Sequence, residues 1–312
     1  MKKNTLKSKK SFLLRLKEDK WYLIFILPAI IYLYVFCYRP MYGILMAFQN
    51  YQVGNPILAF DGSVEWVGLE HFKTFVSSIF FKRIIVNTVR LSLESLLLGC
   101  WIPMAVALLL NEIRVSVAKR TLQTVYYMPY FISTAVVVAI LSLLFGASGP
   151  FSSLHEAMGG GTKNYLNDSK FFDGLYVGSG IWQSFGYSSI IYMAGIAGIN
   201  PNLYEAAKMD GANRWQRMWQ ITIPCLLPTF ITLMILNIGS ILGSNTEKIL
   251  LMYNSFTMDQ ADVIGTYIHR TGLIGTQYSY TSAVGLFMNV LSFSLVFIAN
   301  KISQKLTDYS LW

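Results

Sequence analysis

The chain has 312 residues, 54% of them hydrophobic and only 13% charged, with a mean hydropathy of +0.46. Soluble domains carry roughly 45–50% apolar and about 25% charged residues, so this composition excludes an ordinary water-soluble protein and reads as a membrane protein. A net charge of +9 would point to nucleic acid in a soluble chain; in a membrane chain it reports topology, and no nucleic acid is expected.

Residues 1–20 are strongly basic and precede the first apolar run, 21–38. A cleaved signal peptide also begins this way. Here, however, the run ends in Phe36-Cys37-Tyr38-Arg39-Pro40, without a small-x-small cleavage site, so an uncleaved first span is expected. Further apolar stretches at 86–110, 125–145, 175–199, 221–244 and 281–300 are each close to the 20 or so residues that a helix needs to cross the hydrocarbon core. Only 86–110 carries charges, Arg90 and Glu94. Four residues apart, they share a helix face and are expected to pair. The predicted fold is an all-α polytopic membrane protein with six transmembrane helices and both termini on one side.

Sidedness follows from the basic residues. With the N-terminus inside, 16 of the 25 lysines and arginines fall on inner segments and eight in outer loops, and nearly all of the net charge sits inside. The positive-inside rule therefore places both ends in the cytoplasm. The expected domains are a basic N-terminal segment 1–20, a six-span membrane domain 21–300 and a cytoplasmic tail 301–312. The outer loops, about 39–85, 146–174 and 245–280, are long and rich in aromatics and glycine, whereas the inner loops 111–124 and 200–220 are compact.

Cysteine and histidine point to no chemistry. Cys37, Cys100 and Cys225 fall singly in spans, where a thiol is a small packing group, and His71, His155 and His269 lie in different outer loops. No metal site is expected.

The most specific segment is 200–224. Asn200 can cap a helix that starts at Pro201, Glu205 to Asp210 continue it, and Gly211 supplies a corner. A second short helix, 212–220, with Arg214, Trp215, Arg217 and Trp219, suits a membrane surface, where the arginines can meet anionic lipid. Pro224 then opens the fifth span.

The string Glu205-Ala206-Ala207, three residues, Gly211, nine residues, Ile221-Thr222-Ile223-Pro224 resembles the EAA loop of permease subunits of binding-protein-dependent ABC importers, with Ile223 where leucine is commoner. Trp66-Val67-Gly68-Leu69-Glu70-His71-Phe72 is similar to a segment before the second span of carbohydrate permeases, with His71 replacing the usual asparagine. Asn87-Thr88, Tyr127-Met128-Pro129, Gly180-Ile181-Trp182, Ala283-Val284-Gly285-Leu286-Phe287 and Tyr309-Ser310-Leu311-Trp312 resemble the branch that handles oligosaccharides and polysaccharide fragments.

The resemblance implies a bacterial plasma-membrane protein acting with a second homologous permease subunit, two cytoplasmic ATPase subunits and an extracellular solute-binding protein or lipoprotein. ATP and Mg would be held by the ATPase subunits, with no cofactor and no catalytic residue on this chain. The absence of a G-x-x-x-x-G-K-[ST] string agrees with that division. The resemblance also assigns ATPase coupling to Glu205, Ala206, Ala207, Asp210, Gly211, Ile221 and Pro224.

A sugar path needs hydrogen-bonding groups and aromatic faces inside the spans. Gln183, Tyr187, Asn237, Ser240, Asn245 and Asn289 are the candidates, each also able to serve as an interhelical hydrogen bond. Gly239-Ser240-Ile241-Leu242-Gly243 is a GxxxG string suited to close helix packing. The alternative, an ion-gradient-driven secondary transporter, wants an intramembrane carboxylate or histidine relay, and the spans offer only Glu94. A channel would want a filter string, which is absent.

Overall fold

A computed structural model describes residues 20–58, 64–239, 242–243 and 245–307. The basic segment 1–19, Ser240, Ile241 and the terminal Tyr309-Ser310-Leu311-Trp312 string lie outside the described residues. Within them the chain is helical, without strands; a single isolated bridge pairs Gln49 with Trp66.

Among the described residues, five helices are long and apolar enough to cross a membrane: Lys20–Phe48, Phe81–Asn111, Thr134–Ala157, Arg214–Gly239 and Tyr278–Lys305. The fourth expected span is the 29-residue helix Ser169–Ala197. At 1.5 Å per residue it is about 43 Å long, more than the roughly 30 Å hydrocarbon core. Its glycines, serines and tyrosines exclude it from the five chosen by composition. Tyr176, Ser179, Gly186, Ser189 and Tyr192 are buried, and Gly180, Ser184 and Ser188 line a cavity, so the helix does not need an apolar surface all round.

Two expected boundaries change. The first helix does not stop at Arg39-Pro40 but runs on to Phe48 through a wide π turn, Leu33–Tyr38, and a tighter 3-10 stretch, Arg39–Phe48. Pro40 has no amide hydrogen to donate, and it sits in the first turn of the 3-10 stretch. Every residue from Lys20 to Tyr38 is exposed, with Phe25 at 81%. An apolar helix with this much open surface faces lipid or another subunit.

The third span is broken. Ser116–Tyr127 and Thr134–Phe145 are separate helices, joined by the 3-10 turn Met128–Phe131 and extended backbone at Ile132 and Ser133. Met128 keeps helical backbone, while Pro129 removes one ladder donor, and the chain tightens into the 3-10 turn before leaving helical backbone at Ile132. Ser133 then caps the second helix, its Oγ accepting from Val136 N–H at 3.4 Å.

Ser169–Ala197 packs most extensively against Phe81–Asn111, and Tyr278–Thr307 packs against both Arg39–Phe48 and Ile223–Gly239. Lipid tails are as apolar as leucine, so close packing and small residues drive this association. Gly186 shows how: a Cβ there would run into the Tyr126 carbonyl, so its missing side chain lets Ser116–Tyr127 seat against Ser169–Ala197. Gly239 similarly faces Val296, whose Cγ2 would lie 3.3 Å from an added Cβ.

Buried residues form three clusters. One contains Leu91, Val138, Phe172, Ile249 and Val263. Another, toward the opposite end of the second and fourth spans, contains Met104, Tyr192, Leu226 and Phe230. The third, around Phe75, Ile84, Tyr267 and Val284, joins Glu70–Ser77 and the helix Tyr278–Thr307 to the second span.

Candidate functional site: a glycine corner and a central cavity

The 200–224 segment is built from local capping. Asn200 accepts a hydrogen bond from Asn202 N–H at 3.0 Å, with Pro201 in the first position, and the helix Pro201–Met209 follows. Gly211 has φ +81°, in the left-handed region that glycine occupies without a Cβ penalty. Its N–H donates to Lys208 O at 3.1 Å, and Ala212 N–H reaches back to Ala207 O at 2.8 Å. This is the Schellman arrangement, which satisfies carbonyls that a helix end would leave open.

The next helix begins at once. Asn213 and Gln216 exchange side-chain to backbone bonds of 2.7 and 2.9 Å in a capping box. The expected separate surface helix over 212–220 is not present. Arg214–Arg217 passes through a π turn, Met218–Thr222, directly into Ile223–Gly239, so it is the N-terminal extension of the fifth span. Pro224 explains the widened turn, because it cannot donate to Gln220 O and its ring crowds that carbonyl.

The side chains follow from this frame. Glu205, Ala206 and Asp210 are exposed on the Pro201–Met209 helix, Ala207 is half-buried, and Ile221 is half-buried in the π turn. Among the described residues, the Glu205 carboxylate has no ion pair. Tyr204 lies on the inward face, and its hydroxyl is 2.9 Å from Thr222 Oγ1. A cavity of about 560 Å³ opens beneath this corner, lined by Glu112, Arg114, Lys119, Tyr204, Arg217 and Thr222 among others.

A second, central cavity of about 610 Å³ lies between the second, fourth and fifth spans. Its size falls within the roughly 300–1,000 Å³ of small-molecule sites. Gln183, Asn237 and Asn245 line it, together with Ser92, Thr134, Tyr130 and Tyr176. Gln183 also has a structural task, since its Nε2 donates at 2.7 Å to Ile132 O, the carbonyl freed by the break in the third span. Tyr187 stands behind the wall, stacked on Tyr130 with ring centroids 4.0 Å apart and planes 7° apart. Asn289 is exposed on the last helix and does not line the cavity.

Several site residues escaped the sequence. Lys248, in the helix Thr246–Met252 just beyond the fifth span, is 2% exposed. Its Nζ donates to Tyr176 O at 2.9 Å and sits 5.3 Å from the Tyr176 ring centre. Burial pushes this amine down to about 8. Asn245 fixes the helix by accepting from Lys248 N–H at 3.1 Å, while its own N–H donates to Tyr176 Oη at 3.1 Å. A lysine beside Ile-Leu-Leu-Met reads locally as an exposed cation; only the fold brings it to the cavity wall.

The expected Arg90–Glu94 pair is not formed. Arg90 instead meets Asp173 of the fourth span, with Nε to Oδ2 at 3.1 Å, and donates to Gln260 O at 2.8 Å. In the segment before the last helix, the fully buried Asp262 takes a two-pronged contact from Arg270 at 2.8 and 3.1 Å, a bond from Thr266 Oγ1 at 2.7 Å and a longer contact with Arg83 at 3.4 Å. Asn87, of the Asn87-Thr88 pair, donates to the Asp259 and Asp262 carbonyls.

Comparison with known proteins gives a consistent picture. The family described as binding-protein-dependent transport system inner membrane component matches residues 96–308. LplB of Bacillus subtilis is 39% identical over 97% of this chain and 94% of its own length. The polygalacturonan/rhamnogalacturonan transport system permease protein YteP, also of Bacillus subtilis, is 38% identical with the same coverage. A chain in the crystal structure of a bacterial alginate ABC transporter, in complex with an alginate pentasaccharide-bound periplasmic protein, superposes with a TM-score of 0.86 and 36% identity, covering 96% of this chain and 99% of that one.

Proposed function

Because this chain belongs to the binding-protein-dependent transport system inner membrane components, we propose that it is the permease subunit of an ATP-driven importer of oligosaccharides or glycan fragments in the bacterial plasma membrane. Membership in this family replaces the alternative of an ion-gradient-driven secondary transporter.

The observation that carries the coupling mechanism is the continuous connection from the Pro201–Met209 helix through Gly211 into Arg214–Gly239. A helix tied at both ends transmits displacement instead of absorbing it. In this reading Pro201–Met209 docks on a cytoplasmic ATPase subunit, and ATPase closure moves the inner end of the fifth span, which borders the central cavity. Glu205 offers a carboxylate to a basic residue of that partner. Ala206 and Ala207 allow close approach, and Asp210 and Gly211 form the corner. Ile221 and Pro224 shape the π turn that passes the motion on.

The other parts are separate chains: a second permease subunit, two ATPase subunits holding ATP and Mg, and an extracellular solute-binding protein. Both termini of this chain lie in the cytoplasm, with Arg214 and Arg217 near anionic lipid. The central cavity provides polar and aromatic partners for a sugar through Gln183, Asn237, Asn245 and Tyr130. The test is reconstitution of the whole assembly in proteoliposomes: oligosaccharide uptake should need ATP and the ATPase subunits, and uptake surviving their omission would refute the assignment.

A further inference from the structure

We propose that Lys248 is the group in the central cavity that recognises a sugar carboxylate, so that the cargo is an oligosaccharide containing uronic acid. This rests on the import reading above and makes it more specific. Lys248 is the one charged residue on the cavity wall among the described residues; the other polar lining groups are hydroxyls, amides and backbone. The cavity therefore presents a positive centre in a neutral polar surface.

Among the described residues that charge has no anionic partner; the Tyr176 ring lies 5.3 Å from it. Among the described residues no carboxylate lies within 4 Å of Nζ, and its one hydrogen bond goes to the neutral Tyr176 carbonyl. An ammonium carries three N–H donors, so two remain for a ligand. Of the acids on neighbouring elements, Asp173 pairs with Arg90 and Asp262 with Arg270 and Arg83, Glu247 is exposed, and Glu94, half-buried on the second span, makes no ion pair with Lys248. Burial lowers the amine only to about 8, which leaves it mostly protonated at neutral pH.

A buried, unpaired cation is costly, and an anion that arrives with charge-assisted hydrogen bonds relieves that cost. Water or a sugar hydroxyl could satisfy the two donors but would leave the charge uncompensated. A carboxylate does both. Gly180 keeps the approach open: an added Cβ there would already sit 3.4 Å from Nζ. Had the lysine served only to tie Thr246–Met252 to Ser169–Ala197, a neutral donor of similar length would serve equally well, and that difference can be measured.

The experiment uses the full importer with its ATPase subunits and binding protein in proteoliposomes. Import of trigalacturonate and of neutral galactotriose is compared for wild type, Lys248→Gln and Lys248→Arg, each confirmed to assemble by gel filtration. The binding protein's own preference cancels in the variant-to-wild-type ratio for each sugar. Lys248→Gln should cut trigalacturonate import about tenfold or more, while changing galactotriose import less than about twofold, and Lys248→Arg should recover much of the loss. If the wild type carries only the acidic sugar, the Arg-against-Gln difference decides, and equal loss in both variants overturns the assignment. Equal effects of Lys248→Gln on both sugars, or import of galactotriose alone by the wild type, also overturn it while leaving the import reading intact. ATP-driven import of neither sugar by the wild type would sink that reading and the carboxylate assignment together.

Discussion

The Tyr204 hydroxyl and Thr222 Oγ1 meet at 2.9 Å across the corner made by Gly211. The bond joins the inward face of the Pro201–Met209 helix to the π turn at the base of the fifth span. It therefore closes a small triangle whose other sides are the Schellman turn and the Asn213–Gln216 capping box.

Opening that triangle should loosen coupling more than it lowers stability. Tyr204→Phe removes one hydroxyl pair, worth about 1 kcal/mol, and should change the melting temperature little. Transport per ATP hydrolysed should fall several-fold, because the helix can then turn about Gly211 without carrying the span. Simultaneous uptake and phosphate-release assays on the reconstituted assembly measure the ratio. An unchanged ratio would mean that the backbone connection alone transmits the motion.

The exposed carboxylate and the corner glycine are separable. Glu205→Lys reverses a charge that has no ion pair among the described residues, so membrane insertion should be normal while uptake is abolished. Gly211→Pro cannot adopt φ +81° and removes the N–H that bonds Lys208 O, so it should also abolish uptake in a chain that still inserts. Membrane fractionation followed by an uptake assay checks both. Normal transport by the two variants would sink the assigned docking role.

Gly186 tests the packing that positions the cavity wall. A methyl group there collides with the Tyr126 carbonyl and ring, and overpacking of this kind costs about 2 kcal/mol. Gly186→Ala should lower the thermal midpoint of the detergent-solubilised protein, and Gly186→Leu should lower it further. Equal midpoints for wild type and Gly186→Leu would show that the two helices separate freely.

Asp262, ahead of the last helix, is fully buried beneath Arg270 and Arg83. Removing one member of a buried charge pair costs about 3 kcal/mol, because the remaining charge loses its counterion. Asp262→Asn should destabilise the chain by about that amount, and adding Arg270→Gln should recover part of the loss. The recovery, read from a double-mutant cycle of unfolding midpoints, separates pairing from simple packing.

What could be read from the sequence depended on the range of the interaction. The 200–211 segment was legible because Asn200, Pro201 and Gly211 act on backbone within a few residues of themselves. Its continuation was not: the π turn ahead of Pro224 merges 214–222 into the fifth span, and an arginine- and tryptophan-rich pattern alone does not distinguish a surface helix from the wet end of a long one. Arg90 chose Asp173, 83 residues away, over Glu94 one turn along its own helix. Lys248 likewise became a cavity residue through Tyr176, 72 residues earlier in the chain. Side chains whose partners come from another span leave no periodic trace.

Gln183 carries both kinds of information. Sequence reasoning selected it as a polar group in a span, and the structure gives its amide a structural partner, the Ile132 carbonyl at 2.7 Å, while also placing it on the cavity wall. The two roles predict different behaviour. Gln183→Leu leaves the Ile132 carbonyl without its donor, at a cost of about 1–3 kcal/mol, and removes a polar group from the path. Gln183→Lys restores a donor on a side chain of similar length but adds a charge to the wall. If the break in the third span depends on this bond, Gln183→Leu should lower the unfolding midpoint and Gln183→Lys should recover much of it. If the amide mainly contacts cargo, both variants should raise the substrate concentration at half-maximal uptake while leaving the midpoint near wild type. Measuring midpoint and uptake on the same preparations decides between them, because a carbonyl released inside a membrane protein destabilises the fold whether or not sugar is present.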